Sequence, residues 1–323
     1  EAMSEVKNGI FHLYNPTNEF QRRVVFQKSD DEIIQMAIEA MQYLVELTKD
    51  FKGKVTYQYS PESFSQTTLE FAVKICNEVI EVVKPTKENK MIINLPNTLE
   101  ACMPNVYADR IEWMCKNLHN REALIISVHP HNDRGTSVAS AELAVLAGAD
   151  KVEGTLFGNG ERAGNLDIIN FAFNIYSQGI DPKLDLSIID EVKAMYEEKT
   201  QILVHPRHPF VGDMIFTAFS GGHQDAIKKG IDFYRQTNSQ SWNVPYLPID
   251  PKDIKRGYEK VIRVNSQSGK GGASFIISEF LGVNMNKDEA IKFGLVIKEE
   301  SDRLKRELKK DEIIELYKNY LSK

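Results

Sequence analysis

The sequence predicts an α/β fold of parallel strands, of the kind that closes into a (β/α)8 barrel. Short apolar segments alternate with amphipathic helical segments five times between residues 9 and 176. Polar residues follow each apolar segment, and the alternation stops near residue 185, where helical segments take over. Since crossover helices keep successive strands parallel, the polar residues would gather at one mouth of the sheet, where barrel active sites lie.

Five βα units are predicted, whereas a closed barrel of this class has about eight. We therefore expect a partial (β/α)8 barrel that lacks its first three βα units, with an open five-stranded sheet as the alternative. Residues 1–200 would form the partial barrel and residues 201–323 a mainly helical linker region. The predicted strands cover residues 9–13, 54–59, 90–95, 123–128 and 151–157, and the predicted helices cover residues 31–49, 67–83, 107–118, 137–146, 166–176 and 186–199, a segment that begins at residue 221, and a charged segment at 287–321.

The composition indicates an ordinary globular protein. Among 323 residues, 42% are hydrophobic and 27% are charged, and the formal net charge is −6. This balance gives no support for a nucleic-acid partner or an anionic membrane surface, and no apolar run is long enough to span a bilayer. No secretory signal is visible at the N-terminus, and the cysteines form no CxxC motif, so we expect a reduced, cytoplasmic protein. The cysteines are Cys76, Cys102 and Cys115.

The pair His129 and His131 is the strongest candidate for chemistry. It follows the apolar run at 123–128, and residues i and i+2 of a strand point to the same face. Both imidazoles would therefore project together, as a divalent metal requires of two histidine ligands. The alternative is two solvent-exposed or structurally satisfied histidines. A nearby asparagine carbonyl would supply part of a mixed nitrogen and oxygen coordination sphere.

Two glycine-rich segments invite a phosphate-binding interpretation. In residues 158–165 the glycine spacing is one residue too long for the dinucleotide fingerprint, so a tight turn that positions Glu161 and Asn165 is the competing interpretation. Residues 266–272 lack the pattern of a nucleotide-hydrolysing loop and are interpreted as a flexible hinge. His223, near a predicted helix start, would be either a base or a surface histidine. Further polar candidates at predicted strand ends are His12, Ser60, Glu62 and Thr98.

Taken together, these segments resemble the 2-isopropylmalate synthases, in particular their longer form, and the related DRE-TIM metallolyases. The similarity runs from about residue 10 to the C-terminus. It is carried by HPHND at 129–133, GNGERAGN at 158–165, YSPESF at 59–64, PNVYAD at 104–109, HPRHP at 205–209, WNVPYLPID at 242–250 and VNSQSGKGG at 264–272.

The resemblance implies a metal-dependent, Claisen-type condensation of acetyl-CoA with 2-oxoisovalerate in leucine biosynthesis. It implies that Mg²⁺, Mn²⁺ or Zn²⁺ is held by His129, His131 and Asn165. Family residues from the helical region complete the active site of the other subunit in a homodimer. By the same resemblance the catalytic residues are Glu62, Glu161, His223 and Tyr246, and the substrate-binding residues are His12, Ser60 and Thr98.

One departure from the family pattern limits this inference. The family's first barrel strand carries an Arg-Asp-Gly motif, and a leucine-sensing domain follows the helical region; neither is found in these residues. We therefore expect the chain by itself to bind metal weakly and to have little synthase activity. Homocitrate or citramalate synthase is the alternative enzyme, and a non-catalytic fragment that dimerises is the alternative of another class.

Overall fold

A computed structural model describes residues 6–218, 220–237, 239, 241–257 and 269–322. The chain divides into two compact units, Glu1–Ala172 and Phe173–Lys323. The first unit carries a parallel sheet with helices, and the described part of the second unit is mainly helical. At this coarse level the structure agrees with the sequence-based expectation of a barrel-type α/β arrangement followed by a helical region.

The sheet of the first unit has five parallel strands in chain order. Each of the first four strands is followed by a helix along the chain, as expected for successive βα units. The strands are β1 (Asn8–Pro16), β2 (Lys54–Glu62), β3 (Met91–Asn97), β4 (Leu124–Pro130) and β5 (Lys151–Val152). The helices are α1 (Asp30–Thr48), α2 (Leu69–Val83), α3 (Pro104–Asn117), α4 (Ser137–Leu146) and α5 (Ile168–Ser177), the last of which crosses the boundary between the units.

Local sequence explains where these elements form. Helix α1 begins at a capping box, in which the Ser29 hydroxyl accepts from the Glu32 amide and the Glu32 carboxylate accepts from the Ser29 amide. Strand β3 is buried along its whole length, as expected for a parallel strand covered on both faces, although it contains Asn94 and Asn97. Its Ile93 and Leu95 belong to the core between sheet and helices, where each such side chain stabilises the fold by about 1.5–3 kcal/mol.

The fifth strand is shorter than expected. A strand was predicted over residues 151–157, but β5 ends at Val152 and a 3-10 turn occupies Leu156–Gly158. The chain turns away to pair with the segment that precedes α5, because the Thr155 amide donates to the Leu166 carbonyl at 2.9 Å. A side chain at Gly154 would meet that same carbonyl at 2.6 Å, so the close approach requires glycine.

The second unit contains α6 (Ile189–Thr200), α7 (Gly221–Thr237), α8 (Gly269–Leu281), α9 (Lys287–Leu304) and α10 (Lys310–Leu321). The predicted helical segment at 287–321 is therefore two helices, and the break falls at Lys305, whose φ is +53°. Phe293 of α9 packs edge-on against Tyr317 of α10, with ring centroids 5.1 Å apart. In the described part of the chain, no helix combines the length and apolar character that crossing a membrane requires.

The interpretation of residues 266–272 as a hinge is wrong for the part of this segment that the structure describes. Residues 266–268 lie outside the described residues, as do residues 264 and 265 of the family motif. Residues 269–272 form the first turn of α8, so they are helical and not a hinge. The continuous i to i−4 hydrogen bonding of a helix leaves little freedom for hinge motion there.

Candidate active site at the carboxyl ends of the strands

The two histidines lie together at the carboxyl end of β4. His129 is in the strand and His131 follows its last residue, and their ring centroids are 5.4 Å apart. The His131 amide donates to the Asn97 carbonyl at 3.2 Å, and His131 also forms an antiparallel bridge with Asn165. Thus backbone hydrogen bonds from two neighbouring segments fix the position of the second histidine.

The glycine-rich loop brings Asn165 to these histidines. Gly158 and Gly164 have φ values of +70° and +97°, which favour glycine, and the Asn165 amide donates to the Gly158 carbonyl at 3.0 Å. The Gly164 amide donates to the Glu161 carbonyl at 2.8 Å. A Cβ on Gly160 would lie 1.8 Å from Asn165 Oδ1. The amides of Gly164 and Asn165 donate to carbonyls within the loop, so they are not free to bind an anion. The loop is therefore better described as a tight turn that positions Asn165 than as a phosphate-binding loop.

The arrangement of donors fits a divalent metal. Asn165 Nδ2 lies 2.9 Å from His129 Nε2, which places the side-chain amide beside this imidazole, and the amide oxygen is the group that could ligate a metal. His131 Nδ1 is buried and has no hydrogen-bond partner among the described residues, and burial lowers the pKa of His131. A neutral imidazole is the form that ligates metals. No group of three or more His, Cys, Asp or Glu side chains suited to a metal occurs in the described ranges, so this candidate rests on two imidazoles and one amide.

Glu153, which the sequence analysis did not single out, lies directly behind His129. Its Oε2 is 3.1 Å from His129 Nδ1, and its Oε1 accepts from Gln58 Nε2 at 3.0 Å and from Lys151 Nζ at 2.5 Å. Burial by itself raises the pKa of Glu153, but the hydrogen bonds from His129, Lys151 and Gln58 and the charge of Lys151 outweigh it and hold the pKa at about 2. Its sequence signal was weak, a single acidic residue within the apolar segment at 151–157.

Four further predicted residues lie on the neighbouring strands β1 and β2 or directly after β3. Ser60 is buried and its Oγ lies 2.7 Å from His12 Nε2, while burial lowers the pKa of His12. Thr98 Oγ1 accepts from the Ser63 amide at 2.9 Å. Glu62 is the last residue of β2, and burial raises its pKa. These side chains are carried by β1, β2 and the turn after β3.

Glu161 and Arg162 have different surroundings. The Glu161 side chain is 86% exposed, and it comes no closer to the Arg162 guanidinium than 4.0 Å. Arg162 instead binds Asp133 with two nitrogens, at 2.7 and 3.1 Å. Arg162 also donates to the Thr98 carbonyl at 2.6 Å. The arginine therefore links three loops at the strand ends. This role could not be inferred from its position next to Glu161 in the sequence. Glu161 itself makes no comparable contact with the predicted metal ligands among the described residues.

His223 and Tyr246 belong to the second unit, and the other predicted site residues belong to the first. Their rings stack with centroids 4.1 Å apart, and both side chains are exposed. Tyr246 has a φ of +65°, an uncommon value for a residue with a side chain. The structure thus places the His223 and Tyr246 rings in contact with each other.

The parallel sheet and the polar site at its carboxyl edge define a barrel-type α/β protein. The comparison with family models agrees with this class. The HMGL-like family model matches residues 1–195, which is more than half of the chain, and the chain belongs to this family. A second model, described as "Alpha-isopropylmalate synthase, post-catalytic domain-like", matches residues 213–278.

Individual relatives narrow the similarity. The chain is 52% identical over 321 residues to the 2-isopropylmalate synthase of Clostridium acetobutylicum, covering 98% of this chain and 58% of the relative. It is 53% identical to that of Brucella suis, covering 98% and 57%. The chain therefore spans a little over half the length of these relatives, and the resemblance inferred from the motifs is confirmed. Among solved structures, a Bacillus subtilis HMG-CoA lyase matches with a TM-score of 0.48 and 16% identity, covering 60% of this chain and 64% of the lyase.

Proposed function

We propose that this chain provides catalytic residues of a 2-isopropylmalate synthase, which condenses acetyl-CoA with 2-oxoisovalerate. The observation that carries the proposal is the meeting of His129, His131 and Asn165 at one strand end, in a chain 52% identical to such synthases along nearly its whole length. The two family matches together contain all of the motifs that carry the resemblance except the one at residues 205–209.

The metal requirement follows from the donor set. Members of this family depend on a divalent metal, and His129, His131 and Asn165 would hold it. When bound, the ion supplies Lewis-acid polarisation of a carbonyl oxygen. Two neutral imidazoles and an amide suit several divalent ions.

Thr98 is suited to bind the carboxylate of the oxo acid. Its oxygen already accepts the Ser63 amide hydrogen, so its own hydroxyl hydrogen can be donated to a substrate carboxylate. Ser60 receives a hydrogen bond from Asn94 Nδ2 at 3.0 Å and faces His12, which fixes both groups on the strand face. These side chains would orient the substrate next to the histidine pair.

Glu62 is our candidate base for the methyl proton of acetyl-CoA. A carboxylate whose pKa is raised by burial binds a proton more strongly than an exposed one, and proton removal leaves the thioester carbanion to attack the keto carbon of the oxo acid. The resulting alkoxide takes up a proton, and water then hydrolyses the thioester to release CoA. Glu161, His223 and Tyr246 are proposed to complete the site, the latter two from the other subunit of a homodimer.

We also propose that the first unit is a sector of a (β/α)8 barrel, within residues 1–200, followed by helical linker residues 201–323. Within the described residues, β1 pairs only with β2, and β5 only with β4. Ile10 and Tyr14 on β1 are 52% and 62% exposed. An open edge with exposed large apolar side chains is what a barrel strand shows where its neighbour is not present.

The test is thiol release from acetyl-CoA by the protein purified at the length at which it occurs in the cell, with Mg²⁺, Mn²⁺ or Zn²⁺ added. We expect 2-oxoisovalerate to stimulate release more than pyruvate or 2-oxoglutarate, and His131→Ala to abolish the stimulation. A preference for pyruvate would indicate a citramalate synthase, and one for 2-oxoglutarate a homocitrate synthase. If no 2-oxo acid stimulates release in the protein as it occurs in the cell, the proposed activity is wrong and a non-catalytic dimerising role is favoured.

A further inference from the structure

We propose that Glu153 is a positioning residue, which fixes the tautomer and ring orientation of His129 so that its Nε2 lone pair faces the metal. This inference rests on the proposed function, since it concerns the same site. The carboxylate Oε2 lies 3.1 Å from His129 Nδ1. A carboxylate only accepts hydrogen bonds, so Nδ1 carries the hydrogen and Nε2 keeps its lone pair.

A second contact independently assigns the same tautomer. His129 Nε2 lies 2.9 Å from Asn165 Nδ2, which is a donor. An amide nitrogen can hydrogen-bond to Nε2 only if that ring nitrogen accepts. The lone pair of His129 therefore points toward Asn165, the other predicted ligand from the glycine-rich loop. Carboxylate–histidine pairs of this kind orient metal-binding imidazoles in proteins.

Three strands hold the carboxylate in place. Oε1 accepts from Gln58 Nε2 on β2 at 3.0 Å, from Ser127 Oγ on β4 at 3.3 Å, and from Lys151 Nζ on β5 at 2.5 Å. Lys151 also donates to Gln58 Oε1 at 3.3 Å. Every one of these groups is a donor toward Oε1, so only an oxygen can occupy that position. Oε2 is left for His129, and the side chain has one favourable orientation.

The charges of Glu153 and Lys151 offset each other. The pair therefore adds little net charge near the predicted metal ligands, and its effect on His129 is directional. A plain structural ion pair would stabilise the sheet without specifying which imidazole nitrogen carries the hydrogen. These two roles predict different consequences when the carboxylate is replaced by an amide of the same size.

In Glu153→Gln, the amide oxygen must take the Oε1 position, because three donors point there. The amide NH2 is then forced to face His129 Nδ1, which must accept, and the ring hydrogen moves to Nε2. The histidine keeps its place but presents a hydrogen where the metal needs a lone pair. In Glu153→Ala no donor opposes hydrogen on Nδ1, and the Asn165 contact still favours that tautomer. We therefore expect the isosteric glutamine to weaken metal binding more than alanine does. If lost side-chain packing were the cause, alanine would weaken it more.

The experiment compares wild type, Glu153→Gln and Glu153→Ala by calorimetric titration with Mn²⁺, with Glu122→Gln as the matched control. Glu122 is an exposed carboxylate paired with Lys87, away from the histidines. We expect Glu153→Gln to lower Mn²⁺ affinity by about 10–100-fold, Glu153→Ala to lower it less, and Glu122→Gln to leave it unchanged. Equal affinity in wild type and Glu153→Gln, or a larger loss in alanine than in glutamine, overturns the proposal.

A spectroscopic measurement makes the test independent of metal and activity. Histidine side-chain ¹⁵N shifts distinguish the two neutral tautomers. We expect hydrogen on Nδ1 of His129 in the metal-free wild type and on Nε2 in Glu153→Gln; hydrogen on Nε2 in wild type contradicts the proposal. If wild type and His131→Ala bind Mn²⁺ equally, the metal site of the proposed function fails, whereas the tautomer measurement still decides the role of Glu153.

Discussion

Replacing Gly160 by alanine should separate function from stability at the candidate site. The new Cβ would lie 1.8 Å from Asn165 Oδ1 and 2.9 Å from its Cγ. Nonbonded carbon and oxygen atoms approach no closer than about 3.3 Å, so the amide must retreat by about 1.5 Å. The amide ends a rotatable side chain, and the loop backbone can therefore remain where it is.

The expected magnitudes differ for the two properties. A displacement of about 1 Å in a group that positions substrate or metal can cost about 10²-fold in kcat/KM. The cost in unfolding free energy should be near the lower limit for overpacking, about 1 kcal/mol. Gly164→Ala offers the opposite case, because its Cβ would meet the Gly158 carbonyl at 2.1 Å and its φ is +97°. A backbone clash with a left-handed residue should cost at least about 2 kcal/mol.

Urea unfolding, Mn²⁺ titration and the kcat/KM of thiol release in both variants check these values. Gly222→Ala is the control, since the atom nearest to its new Cβ would be Ser220 Oγ at 3.9 Å. We expect it to preserve both stability and metal affinity. If Gly160→Ala binds Mn²⁺ as wild type does, Asn165 is not a ligand. If it is destabilised as much as Gly164→Ala, the assumption that the amide can move aside is wrong.

Three further outcomes are expected. His131→Ala should lower Mn²⁺ affinity by about 10–100-fold or more, and the exposed His119→Ala should not; equal titrations would remove His131 from the ligand set. Mixing inactive His131→Ala and His223→Ala proteins should restore turnover, because a hybrid dimer contains one intact site, and no recovery after verified subunit exchange would place each site within one chain. Burial, followed by the hydrogen bond to Asp253, raises the pKa of Tyr176 to about 12 from an ordinary 10.0, so unfolding releases a proton in that range. Stability should thus fall as pH rises from 10 toward 12, and less steeply in Tyr176→Phe; parallel urea midpoints would contradict this.

The regular elements of the first unit were largely predictable from sequence. The βα alternation depends on local apolar periodicity, which is visible in a short window of residues. The prediction of α4 matches its observed bounds at residues 137–146, and β1 to β4 fall on their predicted segments with boundaries shifted by a few residues. The projection of His129 and His131 from one strand end also follows from local geometry, because their two-residue spacing matches the strand repeat.

Contacts between distant segments were decided only by the tertiary structure. Gln58 and Glu153 are 95 residues apart and meet because their strands share one sheet, so the support behind His129 could not be inferred from motif spacing. Arg162 pairs with Asp133, 29 residues away, in preference to its neighbour Glu161. β5 is short because Thr155 pairs with Leu166 in the segment before α5. Each outcome depends on which backbone and side-chain groups the fold brings within hydrogen-bonding distance, and sequence periodicity carries no information about those pairings.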